Sequence, residues 1–234
     1  MMAPLQPGSF KGIVFDLDGT LIDSYEAIAE SLNHALAGLG FAPVAPAGVR
    51  AMVGRGLETL LGRAMGERAV EDPGLIQKGV DLFRDRYDAI CVAKTSLLPG
   101  VAETVPALAG RGYRMSVATN KPSYFARRLL DELGIGRHLD AVIGPDLASH
   151  HKPHPEVALA ALAAMRLDPR EALYVGDMEV DVQTARAAGM SVVVLPTGSS
   201  SLDELAGAGA DLIVPAFASL LDLLPGPLIE SRSS

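Results

Sequence analysis

An apolar run, Ile13-Val14-Phe15, ends in two carboxylates two residues apart, Asp16 and Asp18, followed by Gly19 and Thr20. No other stretch constrains the fold as strongly. A short apolar run closed by glycine reads as a buried strand. Folding gains nothing from acids at its end, because Asp is a poor strand former and unpaired charge beside a core is costly. In an open α/β sheet, ligands gather outside the carboxyl ends of the strands. Two acids placed there can hold a hard cation such as Mg²⁺, and one can act as a nucleophile while the other moves a proton. The competing reading is an Asp-rich turn with Gly19 at its corner.

After Ser24 the apolar period lengthens to that of a helix. Ser24 reads as an N-cap with Glu26 in the first turn, and Ile28, Leu32, Ala35, Leu36 and Leu39 mark one face of a helix that Gly40 ends. Pro43 and Pro46 lead into a helix reaching Met52-Val53, and Gly54-Arg55-Gly56 breaks the pattern. Leu57, Leu60, Leu61, Ala64 and Met65 mark the next helix. After Pro73-Gly74, Leu75, Val80, Phe83, Tyr87 and Ile90 mark a longer one, with Arg84 and Arg86 as its solvated stripe. From Asp23 to about Ser96 only helices are expected.

Beyond Leu97 strands alternate with helices. Strands are expected over 113–118, 141–143, 172–175, 191–195 and 212–214, and helices over 101–108, 122–133, 155–165, 179–188 and 217–224. Such alternation argues for a parallel sheet with helices on both faces. The expected fold is therefore α/β: a Rossmann-like core of residues 1–22 and 97–234, with an inserted all-helical cap domain, 23–96, entering after the first strand. Residues 231–234 are expected to fray.

A chain of 234 residues has room for such a core and insert. Its net charge of -8 argues against nucleic acid or an anionic membrane as partner, and obliges any anionic substrate to find a local positive site. The single cysteine, Cys91, excludes an internal disulfide and a cysteine metal cluster, and reads as a small core residue. The first ten residues carry no signal-peptide pattern, and no apolar run approaches the roughly 20 residues of a membrane span. A cytoplasmic protein is expected.

Three further stretches carry chemistry. Thr119-Asn120-Lys121-Pro122 closes a strand. A hydroxyl and backbone N–H groups at a helix start make a phosphate cradle, or else an ordinary turn with Thr119 as cap. Lys152 lies in His150-His151-Lys152-Pro153-His154-Pro155. A lysine before proline is held extended, and its charge would offset that of a phosphate and a nucleophile. The three histidines lack the spacing of a helical metal pair and read as solvated loop residues. Asp177 and Asp181 follow the apolar run Tyr174-Val175-Gly176. Four apart, they share a face if a helix begins between them; alternatively Asp177 caps that helix and Asp181 sits in its first turn. Spacing alone leaves both open.

The stretch D-L-D-G-T-L-I-D-S resembles the first motif of the haloacid dehalogenase superfamily, in its phosphatase branch. Thr119, the K-P-H-P stretch and G-D-M-E-V-D followed by T-A-R-A-A-G-M resemble the other motifs, in family order, and the helical insert sits where the family's first cap type sits. T-N-K-P and the closing F-A-S-L-L-D-L-L are most similar to the bacterial phosphoglycolate phosphatase branch.

The resemblance implies phosphate monoester hydrolysis. Asp16 would form an aspartyl-phosphate, with Asp18 protonating the leaving alkoxide and later activating water. Thr119, Asn120 and Lys152 would hold the phosphoryl group. Mg²⁺ would be held by Asp16, the main-chain carbonyl of Asp18 and Asp177, with Asp181 binding indirectly or supporting that shell. Dehalogenases and phosphonate-cleaving relatives lack the second aspartate, so Asp18 counts against them. A sugar phosphomutase keeps both acids, so it stays an alternative, as does a phosphatase of another small metabolite such as a sugar phosphate or pyrophosphate. The implied partner is a small phosphorylated metabolite, and the protein a monomer or homodimer. Arg55, between two glycines, is the expected contact for a substrate carboxylate, since its fork can donate two hydrogen bonds; the competing reading is a solvated arginine.

Overall fold

The structure is a computed structural model describing residues 9–72 and 74–226. Pro73, most of the N-terminal decapeptide and the tail 231–234 lie outside the described residues.

The apolar run forms β1 (Gly12–Phe15), with all four residues buried. A two-residue strand β2 (Ile22–Asp23) leads into helices α1 (Tyr25–Gly38), α2 (Pro46–Arg50), α3 (Leu57–Met65), α4 (Glu67–Glu71) and α5 (Gly74–Ile90). The chain returns through β3 (Ser96–Leu97), which pairs antiparallel with β2, Ile22 facing Leu97. Strands β4 (Arg114–Ala118), β5 (Ala141–Ile143), β6 (Ala172–Gly176), β7 (Ser191–Val194) and β8 (Leu212–Ile213) then alternate with helices. These are α6 (Val101–Gly110), α7 (Ser123–Glu132), α8 (Glu156–Met165), α9 (Glu179–Ala187), α10 (Leu202–Gly207) and α11 (Leu220–Leu223).

The main sheet has the order β5-β4-β1-β6-β7-β8, and every pair in it is parallel. The central strand β1 aligns Phe15 with Val117 on one side and Val175 on the other, so Asp16, Thr119 and Asp177 leave the sheet at the same end. The chain turns outward in both directions from β1, which creates the crevice where α/β folds bind ligands.

Strand residues alternate between two cores. Ile13, Phe15, Met115 and Val117 join α6, α7 and the five inserted helices in one cluster. Val14, Ala118, Tyr174 and Val192 join α8 and α9 in the other. The apolar stripes expected on the inserted helices are the buried ones, Ile28, Leu32, Ala35 and Leu36 on α1 and Val80, Phe83 and Tyr87 on α5.

Several local expectations change. The helical stretch is closed at its two ends by the unexpected ribbon β2–β3, which touches it only at Asp23 and Ser96. The expected last helix is a 3-10 turn, Phe217–Ser219, followed by the single turn of α11. Arg86 is not merely solvated: its guanidinium pairs with Glu30 of α1 and ties two inserted helices together. Ser24 stands at the start of α1 but makes no capping bond, because its hydroxyl donates to Asp18 instead.

Candidate active site

Three acids meet behind β1 and β6. Asp16 follows the last residue of β1, and Asp177 the last residue of β6. Asp181 lies in the first turn of α9, where its Oδ2 accepts the N–H groups of Asp177 at 3.1 Å and Met178 at 3.0 Å. Asp181, not Asp177, therefore satisfies the opening backbone donors of the helix. One carboxylate oxygen from each of Asp16, Asp177 and Asp181 lies within 4.8 Å of the others, and all three residues are buried.

Lys152 is the buried counter-charge. Its Nζ stands 2.7 Å from Asp16 Oδ1 and 2.7 Å from Asp181 Oδ1. Asn120 fixes the lysine's backbone, its Oδ1 accepting Lys152 N–H at 2.8 Å and its Nδ2 donating to Lys152 O at 3.3 Å. The same Nδ2 donates to Gly54 O of the insert at 3.0 Å, so the amide expected to bind substrate is occupied by the protein. Tyr174 Oη donates to Ala118 O at 3.2 Å and approaches Asp181 Oδ1 at 3.4 Å, closing the site from below.

One ammonium is too little for three buried acids. Burial pushes the Asp16 carboxyl up to about 7, with Lys152 opposing and Asp181 adding to the rise. Asp177 is held well above the usual carboxylate range by burial, then by Asp181 and Asp16. Burial alone would lower the Lys152 ammonium, but Asp16 and Asp181 outweigh it and hold it well above its ordinary value.

Asp177 Oδ1 accepts the Thr20 hydroxyl at 2.7 Å, while its Oδ2 is buried without a hydrogen-bond partner. That oxygen sits between two glycines: a Cβ on Gly198 would fall 1.4 Å from it, and one on Gly19, where φ is +92°, 2.5 Å from it. Clustered oxygen donors, an orphaned carboxylate oxygen and a cradle that side chains would fill suit a hard divalent cation.

Asp18 faces a different group. Lys121 Nζ donates to its Oδ1 at 2.7 Å and its Oδ2 at 2.8 Å. Burial would lower the Lys121 ammonium, but Asp18 and Tyr87 together leave it raised. The motif T-N-K-P contained this lysine, yet nothing in its local spacing announces Asp18 as its partner. Thr119 is buried at the end of β4 and its Oγ1 accepts Lys121 N–H at 3.1 Å.

A cavity of about 80 Å³ joins these groups to the insert. Its core side presents Asp16, Asp18, Thr119, Asn120, Lys121 and Lys152, and its insert side Ile28, Val53, Leu57, Leu60, Phe83 and Tyr87. Arg55 does not line it. Its neighbours Gly54 and Gly56 do, while the guanidinium, 47% exposed, lies 4.0 Å from Glu179 at the outer rim. Arg50, which the sequence did not single out, crosses to the core instead. Its Nη2 donates to Thr197 O at 2.7 Å and Gly198 O at 3.2 Å, and its guanidinium lies 4.1 Å over the Tyr25 ring. His150, His154 and Glu156 form a separate surface group, with His150 Nδ1 2.8 Å from Glu156 Oε2 and one ligand atom of each within 4.8 Å of the others.

Buried acids paired with an ammonium, at the switch point of a parallel sheet under a helical insert, define a Rossmann-like hydrolase site. The model of the haloacid dehalogenase-like hydrolases matches residues 13–195, and the chain belongs to that family. It is 38% identical to the phosphoglycolate phosphatase of Rhodospirillum rubrum over 93% of this chain and 92% of that one. It is 32% identical to the phosphoglycolate phosphatase of Escherichia coli over 96% of both chains. The crystal structure of a predicted phosphoglycolate phosphatase from Haemophilus somnus superposes with a TM-score of 0.85 at 30% identity, over 92% of this chain and 98% of that one. Among the described residues no helix is long and apolar enough to cross a membrane.

Proposed function

We propose that this chain is a Mg²⁺-dependent phosphate monoester hydrolase whose substrate is phosphoglycolate. The observation that carries the reading is the contact of Lys152 Nζ with Asp16 Oδ1 and Asp181 Oδ1, 2.7 Å each, beside the unpartnered oxygen of Asp177. The names of the relatives support the substrate, and the small cavity suits one.

In the proposed reaction, a carboxylate oxygen of Asp16 attacks phosphorus. The bond from phosphorus to the ester oxygen breaks, and Asp18 gives its proton to the departing alkoxide. Asp18, now ionised, takes a proton from the water that attacks the aspartyl-phosphate. Inorganic phosphate leaves and Asp16 is restored. Lys152 and the Thr119 hydroxyl hold phosphoryl oxygens, and Asn120 keeps Lys152 in place. Asp16, the Asp18 carbonyl and Asp177 would hold Mg²⁺, with Asp181 supporting them. When bound, the ion supplies the positive charge that lets a carboxylate approach a phosphate dianion.

The helices of residues 23–96 act as a cap. Arg50 and Asn120 hold it against the core and keep bulk water from the aspartyl-phosphate. The reading has the protein working in the cytoplasm on a soluble metabolite, as a monomer or a homodimer.

The test is a panel of phosphate esters assayed with and without Mg²⁺. Phosphoglycolate should give the highest kcat/KM, chelator should abolish turnover, and Mg²⁺ should restore it. Full activity in chelator, or turnover of no ester, overturns the reading.

A further inference from the structure

We infer that Tyr87, backed by Lys121, forms the subsite for the substrate's carboxylate. The inference rests on the phosphatase reading above and adds the residue that selects the leaving group.

The insert's wall of the cavity is apolar except at Tyr87. Ile28, Val53, Leu57, Leu60 and Phe83 offer a charged leaving group nothing, whereas Tyr87 carries a hydroxyl. Tyr87 is 1% exposed, and no group of the protein accepts from its buried Oη. Buried hydroxyls are almost always paired, and an unpaired one is costly. Tyr87 is a lining residue of the cavity, so its O–H is placed to pair with a group that enters. The ring cannot swing away, since it stacks on Phe83 at 5.4 Å and meets the edge of Phe125 at 5.1 Å.

The charge a carboxylate needs stands beside it. Lys121 Nζ lies 5.0 Å from the centroid of the Tyr87 ring. An ammonium has three N–H donors; Asp18 takes two, at 2.7 and 2.8 Å, and the third lies on the side of the tyrosine, whose oxygen it supports while the phenol O–H stays unspent. Burial, opposed by Lys121, pushes the phenol up to about 12, so it remains a donor at neutral pH. A phosphate held by Lys152 and Thr119 leaves its ester arm facing the insert, where Tyr87 and Lys121 meet. Arg55, the residue that loop position alone favours, is directed to Glu179 outside the cavity.

Tyr87→Phe keeps the stacked ring and removes only the oxygen. It should lower kcat/KM for phosphoglycolate about tenfold, chiefly through KM, the loss of one hydrogen bond to a charged group. For p-nitrophenyl phosphate, which has no carboxylate, the change should stay within about twofold. Arg55→Ala should not discriminate between the two substrates. A readout free of turnover is calorimetry on the inactive Asp16→Asn protein. Adding Tyr87→Phe should raise the Kd for phosphoglycolate about tenfold and leave that for inorganic phosphate unchanged. Equal losses on both substrates, an unchanged phosphoglycolate Kd, no phosphoglycolate binding to Asp16→Asn, or a selective loss in Arg55→Ala would each overturn the subsite. A wild-type protein that hydrolyses no ester overturns the phosphatase reading instead, and the calorimetry still decides the subsite.

Discussion

Lys121 donates to both carboxylate oxygens of Asp18, one of which also accepts the Ser24 hydroxyl. Three bonds aim this acid into the cavity and away from the Asp16, Asp177 and Asp181 cluster. Proton transfer depends on such aim, since an acid must lie within hydrogen-bond reach of the atom it serves. Lys121→Met keeps the chain length and removes the donors. It should lower kcat on alkyl phosphates by roughly ten- to a hundredfold. The loss on p-nitrophenyl phosphate, whose leaving group needs no proton, should be smaller. Steady-state rates on p-nitrophenyl phosphate and on an alkyl phosphate without a carboxylate decide it, so that carboxylate binding does not enter, and equal losses would mean Lys121 serves the fold.

Asp16→Asn should abolish turnover by several orders of magnitude, because the attacking oxygen becomes an amide. It should also stabilise the chelated protein. Three buried acids share one ammonium, and the change removes one of them. A melting scan in chelator should place the variant above wild type. Near wild-type turnover would exclude Asp16 as the nucleophile.

The strand ends were legible because acids there contradict the apolar run before them, a conflict that folding alone does not explain. Asp16 and Asp18 stand out that way; Thr119, Lys152, Asp177 and Asp181 are singled out by their motifs' resemblance, and parallel pairing brings the ends of β1, β4 and β6 together. What spacing hides is pairing across the chain. Lys121 and Asp18 are 103 positions apart, and neither announces the other. Periodicity marks Tyr87 as buried but not that the residue lines a cavity. It marks the break at Arg55 but not which way the side chain leaves it. The ribbon β2–β3 has two residues per strand, too few to show an alternation.

Chelation should make stability depend on pH in a defined direction. The folded Asp16 carboxyl titrates at about 7, against 3.8 ordinarily, so between these values the native state holds a proton the unfolded chain has lost. Stability then falls as pH rises through that window. Asp177, also raised, adds to the fall. Mg²⁺ favours the ionised acids and should flatten the slope. For a chain of this size each kcal/mol lost lowers Tm by roughly 2–4 °C. Melting scans from pH 4 to 8, with EDTA or Mg²⁺, measure it, and a chelated protein that gains stability across this range would contradict the buried-acid account.

Gly198 lies between the insert and Asp177. Its carbonyl accepts Arg50 Nε at 3.3 Å and Nη2 at 3.2 Å from the insert, and neighbouring Thr197 Oγ1 donates to Gly19 O at 2.6 Å. On its other side, a Cβ at this position would overlap Asp177, 1.4 Å from Oδ2 and 2.3 Å from Cγ. Gly198→Ala must therefore move either the loop or the acid. Its three tethers resist moving the loop, so Asp177 should give way. The Mg²⁺ concentration for half-maximal activity should rise by about tenfold or more, and Tm in chelator should fall, because moving the side chain also costs Oδ1 its bond from Thr20. Arg50→Ala is the contrasting variant. It removes the tether and leaves Asp177 alone, so it should raise KM for phosphoglycolate and increase hydrogen exchange in α1 and α2, with the Mg²⁺ requirement unaltered. An unaltered Mg²⁺ requirement in Gly198→Ala would mean the loop, not Asp177, yields, and that the cradle around Oδ2 is softer than its geometry implies.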